Sequence, residues 1–333
     1  MFSDSIRATL QDQIVGQRRA LNAAVRATTR IASGLSSRER SIAAYLFLGP
    51  TTIGKTHLVR KLAHVIHGHE GPLTIAECGW ENETGGPWHG FATQLAGAFT
   101  IPEPGTRSTY RTPPLSILLI EGLEHGSGDF WRRIGRTLES SQIRLPDGRL
   151  GLLRDCLVFL TSNLCSPEIL DETPQIGFSS ASSDESEEAD RLSEVCREIA
   201  AEKFGAPILS SLDGIVPFHR LELRHLEGIL DRRIRRLNES LAPRQTRCEI
   251  LPAAREFILE RGQSDLRTGA HQLLLAQQKY VEFPLADLVI SGKVVPGGRI
   301  VVDRDVDGEH LFFAVEAPAT VESGPKLVSV EWR

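Results

Sequence analysis

The stretch AAYLFLGPTTIGKT, residues 43–56, decides the fold. Its first half is a short apolar run with the length of a buried strand, well below the ~18 residues of a membrane span. Its second half, Gly49-Pro50-Thr51-Thr52-Ile53-Gly54-Lys55-Thr56, matches G-x-x-x-x-G-K-[ST]. The glycines let backbone N–H groups turn inward to form an anion nest. Lys55–Gly68 then carries helical periodicity in Leu58, Leu62, Ala63, Val65 and Ile66, so the nest opens a helix whose dipole also favours an anion. Strand, loop and helix stand in the order the motif's mechanism needs. The pattern predicts a phosphate-binding loop, with Lys55 reaching the outer phosphates of a nucleotide and the Thr56 hydroxyl ligating Mg²⁺. The expected ligand is a nucleotide with Mg²⁺.

Outward from that stretch, PLTIAEC (72–78), SILLIEG (116–122) and CLVFLTSN (156–163) read as further strands, and DFWRRIGRTLES (129–140) as a helix. Apolar strands alternating with helices imply an α/β fold around a parallel sheet covered on both faces. Upstream, residues 5–35 read as amphipathic helix broken at Gly16. Residues 79–114 are rich in Gly, Pro and Thr and read as loop, with a helix near Phe91–Phe99. SSASSDESEEAD (179–190) is acidic and serine-rich and reads as a solvated, mobile loop. A second region starts near Phe218. It holds helices at 226–242, 252–262 and 269–291 and short strands at 247–251, 299–305 and 310–316, before a weakly patterned tail.

The chain has 333 residues, enough for two domains or one large one. With 41% hydrophobic and 24% charged residues it can bury a core, which excludes global disorder. A net charge of −5 argues against a generic nucleic-acid binder. The N-terminus MFSDSIRATLQDQ lacks a signal-peptide layout, and no run spans a membrane, so the expected compartment is the cytoplasm. The five cysteines form no CxxC pair and read as buried thiols. Arg232, Arg233, Arg235 and Arg236 spread over the polar face of one helix, which reads as a solvated face rather than a nucleic-acid patch. His64, His67 and His69 read as cations at a helix C-terminus rather than, with Glu70, as a metal set. Trp80, Trp88 and Phe91 suit loop packing and partner contact equally.

Phosphate binding is not hydrolysis. Hydrolysis needs a carboxylate at the end of a neighbouring strand for the magnesium shell, and a base that orients water. Glu121 supplies the first. The next residue, Gly122, has no side chain to serve as the second. Glu124 suits a helix N-terminus, favoured by the dipole, and is also the nearest later carboxylate. Asn163 ends a strand where it either orients the attacking water or caps the following helix.

Taken together, IVGQRRALNAAVRA, AAYLFLGPTTIGKT, the stretch from DFWRRIGRTLESS to FLTSNL, and FHRLELRHLEGILDRRIRRLNESLA resemble the Clp-type AAA+ module, the second ATPase ring of protein disaggregases and protease-associated unfoldases. The resemblance covers about residues 7–316. It implies a P-loop αβα sandwich over residues 1–216, including the acidic loop 179–190. A small C-terminal α+β lid domain over 217–316 and a tail at 317–333 follow, with nucleotide between the two domains. It places Ile14, Val15, Gly16 and Gln17 beside the adenine. It assigns the phosphate loop to Gly49–Thr56, sensor 1 to Asn163, and the magnesium shell to Thr56 and Glu121. The family's Asp-Glu pair is here Glu121-Gly122, so the metal carboxylate gains a methylene and the catalytic base is lost. The arginine finger position holds Ser211, and sensor 2 holds His271. The aromatic pore loop is absent from FTIPEPGTRSTYRTPP (99–114), where Tyr110 is an aromatic without the matching local pattern. The resemblance therefore implies an ATP-binding, chaperone-related protein that hydrolyses slowly and acts by assembly or regulation. The alternative is an active ATPase remodelling protein in a ring, with Glu121 or Glu124 replacing the base and a partner supplying the finger. Expected partners are ATP or ADP and a protein partner or substrate, in a homo- or hetero-oligomer that is hexameric in the family. Membrane and nucleic acid are not expected. The family's N-terminal adaptor domain and first ring are missing from this sequence, which suggests a separate partner.

Overall fold

The computed structural model describes residues 2–33, 43–68, 73–79, 86–99, 109–111, 116–153, 156–170, 184–263, 269–294 and 296–316. The chain separates into two compact units between Arg220 and Leu221.

The first unit begins with α1 (Phe2–Gln13) and α2 (Arg18–Ala32), then β1 (Ala43–Leu48), α3 (Lys55–His67), β2 (Leu73–Glu77), α4 (Gly86–Ala96), β3 (Thr109–Arg111) and β4 (Ser116–Glu121). A 3₁₀ turn at Leu123–His125 leads to α5 (Gly128–Ser140), β5 (Gln142–Arg144), β6 (Leu150–Leu152), β7 (Cys156–Ser162), α6 (Ser166–Leu170), α7 (Asp184–Phe204), α8 (Ala206–Leu209) and β8 (Gly214–Pro217). Five strands form one sheet in the order β2-β4-β7-β1-β8, every neighbouring pair parallel. β1 and β7 are buried along their whole length. That explains their unbroken apolar sequence, because helices cover both faces of a parallel sheet. Ala44, Leu46, Leu48, Leu118, Ile120, Val158 and Leu160 face one core, shared with α4, α5, α7 and α8. On the other face Phe47 meets Phe159 and Phe218, with ring centroids 5.3 and 5.1 Å apart.

Some expectations change. The acidic segment is not a loop where it is described: Asp184–Asp190 form the first turns of α7, while 179–183 lie outside the described residues. Acidic side chains suit a helix N-terminus, and the buried stripe Leu192, Cys196, Ala200 and Phe204 anchors the helix behind them. The helix expected near Phe91–Phe99 spans Gly86–Ala96 instead. It packs Phe91 at 5.1 Å from Phe130, with Trp88 5.6 Å from the same ring, so both aromatics serve packing; Trp80 is outside the described residues. A small sheet, β3-β6-β5, was not anticipated, and Tyr110 pairs through its backbone with Gly151.

In the second unit, α9 (Leu223–Leu241) is followed by β9 (Arg247–Ile250), α10 (Pro252–Gly262), α11 (His271–Gln277), a π-helical turn (Gln278–Glu282), α12 (Phe283–Ile290), β10 (Arg299–Arg304) and β11 (Leu311–Glu316). The strands form a sheet in the order β11-β10-β9. The Asn238 amide bonds both backbone groups of Cys248, its nitrogen donating to the carbonyl at 2.9 Å and its oxygen accepting from the N–H at 2.7 Å, which ties α9 to β9. Arg233 donates to Gln277 and Glu282, both at 2.9 Å, so one of the four helix arginines is spent inside the unit. All five cysteines are buried thiols outside any disulfide. Among the described residues no helix is long and apolar enough to cross a membrane.

Candidate functional site: a phosphate loop at the sheet's carboxyl edge

The parallel sheet brings the carboxyl ends of β1, β4, β7 and β8 to one edge, where α/β folds of this kind bind ligands. The loop after β1 carries Gly49–Thr56. Gly49 has φ +135°, and a Cβ there would come within 3.1 Å of the Phe218 carbonyl and 3.2 Å of Ile169. Thr52 and Gly54 also take positive φ, at 61° and 109°. Such alternation turns successive N–H groups to one side. Gly54 precedes α3 with no side-chain cap, so the first amides of that helix stay open to an anion. Ile53 is buried beneath the loop, whereas Thr51 and Thr52 face solvent.

Lys55 is buried. Its Nζ donates to the carbonyls of Gly49 and Pro50, the latter at 2.6 Å, and to Asn163 Oδ1 at 3.1 Å. Burial lowers its pKa to about 8, against the opposing pull of Glu124 and Glu121. Thr56 Oγ1 donates to Glu121 Oε1. Hydroxyl and carboxylate thus converge, which is the oxygen donor set a small hard cation prefers. These residues fit a magnesium–nucleotide ligand: the loop would hold phosphates, and Thr56 with Glu121 would hold the metal.

Gly16 has φ +72° at the turn between α1 and α2, beside the half-buried Ile14 and Val15. The next side chain, Gln17, is buried and makes a two-way amide bond with His219. Its Nε2 donates to the carbonyl at 2.8 Å, and its Oε1 accepts from the N–H at 3.1 Å. The turn is thereby fixed to the exit of β8, next to the phosphate loop's neighbour Phe218. This link spans 202 residues and has no local signal.

The structure brings Lys55, Thr56, Glu121 and Asn163 together. It adds Glu124, whose Oε1 accepts from the Asn163 N–H at 3.2 Å. Glu124 does lie in the first turn of a 3₁₀ segment, but its carboxylate is turned toward Asn163. Cys78, pushed up to about 12 by burial, feels Glu124 as well. Ser211 is buried and donates to the Ile208 carbonyl at 2.6 Å, inside its own turn. His271 opens α11 in the second unit and is exposed. His64 and His67 lie on α3, His69 and Glu70 fall outside the described residues, and no metal-holding cluster of His, Cys, Asp and Glu occurs among the described ones.

Comparison with known proteins agrees with this geometry. Residues 221–302 match the family described as the C-terminal, D2-small domain of ClpB protein. The "Chaperone protein ClpB" of Aquifex aeolicus (strain VF5) is 30% identical over 312 residues, covering 92% of this chain and 30% of that protein. The "ATP-dependent Clp protease ATP-binding subunit ClpC" of Staphylococcus aureus (strain USA300) is 28% identical over 306 residues, covering 90% of this chain and 36% of that protein. The chain thus spans about a third of the length of these curated relatives. The phosphate loop on a parallel sheet, followed by a unit matching the small domain, makes this chain a Clp-type AAA+ module with an αβα fold and a C-terminal small domain.

Proposed function

We propose that this protein is a magnesium–ATP-binding, chaperone-related module of the cytoplasm that hydrolyses slowly and acts through a protein partner. The observation that carries the reading is the open phosphate loop, with buried Lys55 at its centre and Thr56 bonded to Glu121 at its rim. Backbone amides of Gly49–Thr56 cradle the phosphates. Lys55 leaves its carbonyl partners for phosphate oxygens. Thr56 and Glu121 hold Mg²⁺, which supplies charge neutralisation when bound. Ile14, Val15, Gly16 and Gln17 border the base, and His271 holds the family's sensor 2 position.

Slow hydrolysis follows from three positions. Gly122 offers no base. Ser211 offers no guanidinium, and an arginine finger is worth about 10³–10⁵ in rate. His271 replaces a permanent cation. Nucleotide then serves as a ligand that sets assembly, in a homo- or hetero-oligomer, hexameric by analogy with the family.

Titration calorimetry with Mg–ATP tests this. The intact chain should bind, and Lys55→Ala should weaken binding about tenfold to 100-fold, the loss of a charge-assisted hydrogen bond. An intact chain that binds no nucleotide would sink the proposal. The second reading, a protein-remodelling ATPase, is favoured by one observation, the placement of Glu124.

A further inference from the structure

The position that the family resemblance gives to the catalytic base holds a glycine on a left-handed backbone in this fold. Gly122 has φ +68°, and a Cβ built on it would lie 2.9 Å from His125 Cδ2. The imidazole of His125 stands where a side chain at 122 would begin. The same 3₁₀ turn brings His125 back over Gly122 and carries the Glu124 carboxylate to the end of β7.

Glu124 Oε1 accepts the Asn163 N–H at 3.2 Å, and the Asn163 side chain accepts from Lys55 Nζ at 3.1 Å. One short chain of contacts therefore joins this carboxylate to the lysine of the phosphate loop. The other oxygen, Oε2, is buried and accepts no hydrogen bond from any described residue. Leaving a buried carboxylate oxygen unpaired is costly, and native proteins keep such atoms rarely. Glu121 does not compete for the role, because its Oε1 is engaged by Thr56 on the metal side.

We propose that Glu124 is the catalytic base of this module, its carboxylate taking the proton of the attacking water beside Asn163 and Lys55. The inference rests on the nucleotide-binding reading above and accounts for the turnover that remains. In the step it serves, the water oxygen bonds to the terminal phosphorus as the bond to the bridging oxygen breaks. The bridging oxygen leaves on ADP with the electron pair, and the water proton passes to Glu124. His125 Nε2 stands 3.8 Å from Glu124 Oε1 and its side chain is 66% exposed, so the proton has an outlet to solvent. ATP and water give ADP, phosphate and a proton.

Glu124→Gln is a clean probe, since the amide oxygen still accepts the Asn163 N–H while the basic oxygen is lost. Mg–ATP affinity by calorimetry and turnover under single-turnover conditions should be measured on the full chain for the wild type, Glu124→Gln, Glu124→Asp and Lys55→Ala. General bases contribute about 10²–10⁴-fold, so Glu124→Gln should lose at least about 100-fold in rate. Its affinity should stay within about threefold, the signature of a group used only in the transition state. The bound nucleotide recovered from Glu124→Gln should be ATP, where the wild type yields ADP. Glu124→Asp should recover part of the rate, which a purely structural defect would not. Wild-type turnover kept by Glu124→Gln would overturn the inference, and so would a wild type that binds Mg–ATP yet never hydrolyses it. Failure of the wild type to bind would instead defeat the nucleotide-binding reading beneath it.

Discussion

At position 122 a side chain would have to start from a left-handed backbone, and it would start against the His125 ring. Both facts bear on the obvious repair, Gly122→Glu, which restores the family's residue type. The left-handed conformation costs a residue with a Cβ about 1–2 kcal/mol, and the exposed imidazole must also swing aside. We expect Gly122→Glu to lower stability by about that amount in chemical denaturation and to leave turnover no faster. A faster variant of undiminished stability would show that the backbone at 122 relaxes readily and that the turn is not what displaced the base. The contrast with the phosphate loop is instructive. Gly49–Thr56 is legible in sequence because its chemistry lies in consecutive residues. Glu121 and Asn163 are legible because each ends an apolar strand, and parallel strands place such ends together. Glu124 and Gln17 are different. Their partners, Asn163 and His219, lie 39 and 202 residues away, so only the fold reveals which alternative each side chain takes.

Elements repeat the lesson with packing in place of chemistry. β1, β4 and β7 announce themselves as apolar runs because they are buried on both faces. β8, Gly214–Pro217, is four residues long at the sheet edge, begins with glycine and ends in proline, and carries no such signal. β5 and β6 did leave a trace in the turn Pro146-Asp147-Gly148, where Gly148 takes φ +81°, but three-residue strands are too short to show alternation. In α7 the acidic, serine-rich composition outweighed a buried stripe at every fourth position. Helix α5 shows how propensity misleads in the other direction. Gly135 sits in its interior, where alanine is the better helix former by about 1 kcal/mol. Yet a Cβ there would lie 2.6 Å from the Pro207 carbonyl oxygen at the start of α8, a backbone atom that cannot rotate away. Overpacking of this kind costs about 1–3 kcal/mol, so Gly135→Ala should destabilise the protein on balance. A shift of the denaturation midpoint to higher denaturant would contradict the close approach of α5 and α8.

For the whole molecule, the question is whether neighbouring copies complete one another's sites. The family resemblance puts that task on an arginine reaching from one subunit to the next, and here the position holds Ser211. The serine is only 9% exposed and its hydroxyl is bonded back to Ile208, so it presents nothing to a neighbour. Asp213, two residues on, accepts the Ala44 N–H at 2.8 Å and pairs with Arg30, which fixes the segment against the start of β1. An arginine could not occupy the Ser211 site without expelling that packing. On the proposed reading, assembly and hydrolysis are uncoupled at this contact: copies would associate through other surfaces without supplying charge to the reaction. Turnover per chain should stay constant as protein concentration is raised over about two decades, even where light scattering shows association by mass action. A rate per chain that climbs with association would mean that another cationic side chain reaches across from a neighbour. Mixing Lys55→Ala chains, expected not to hydrolyse, into the wild type separates the cases. If each site works alone, total turnover falls only in proportion to the wild-type fraction. If neighbours contribute, the inactive chains still donate the missing charge and turnover per wild-type chain rises with their addition.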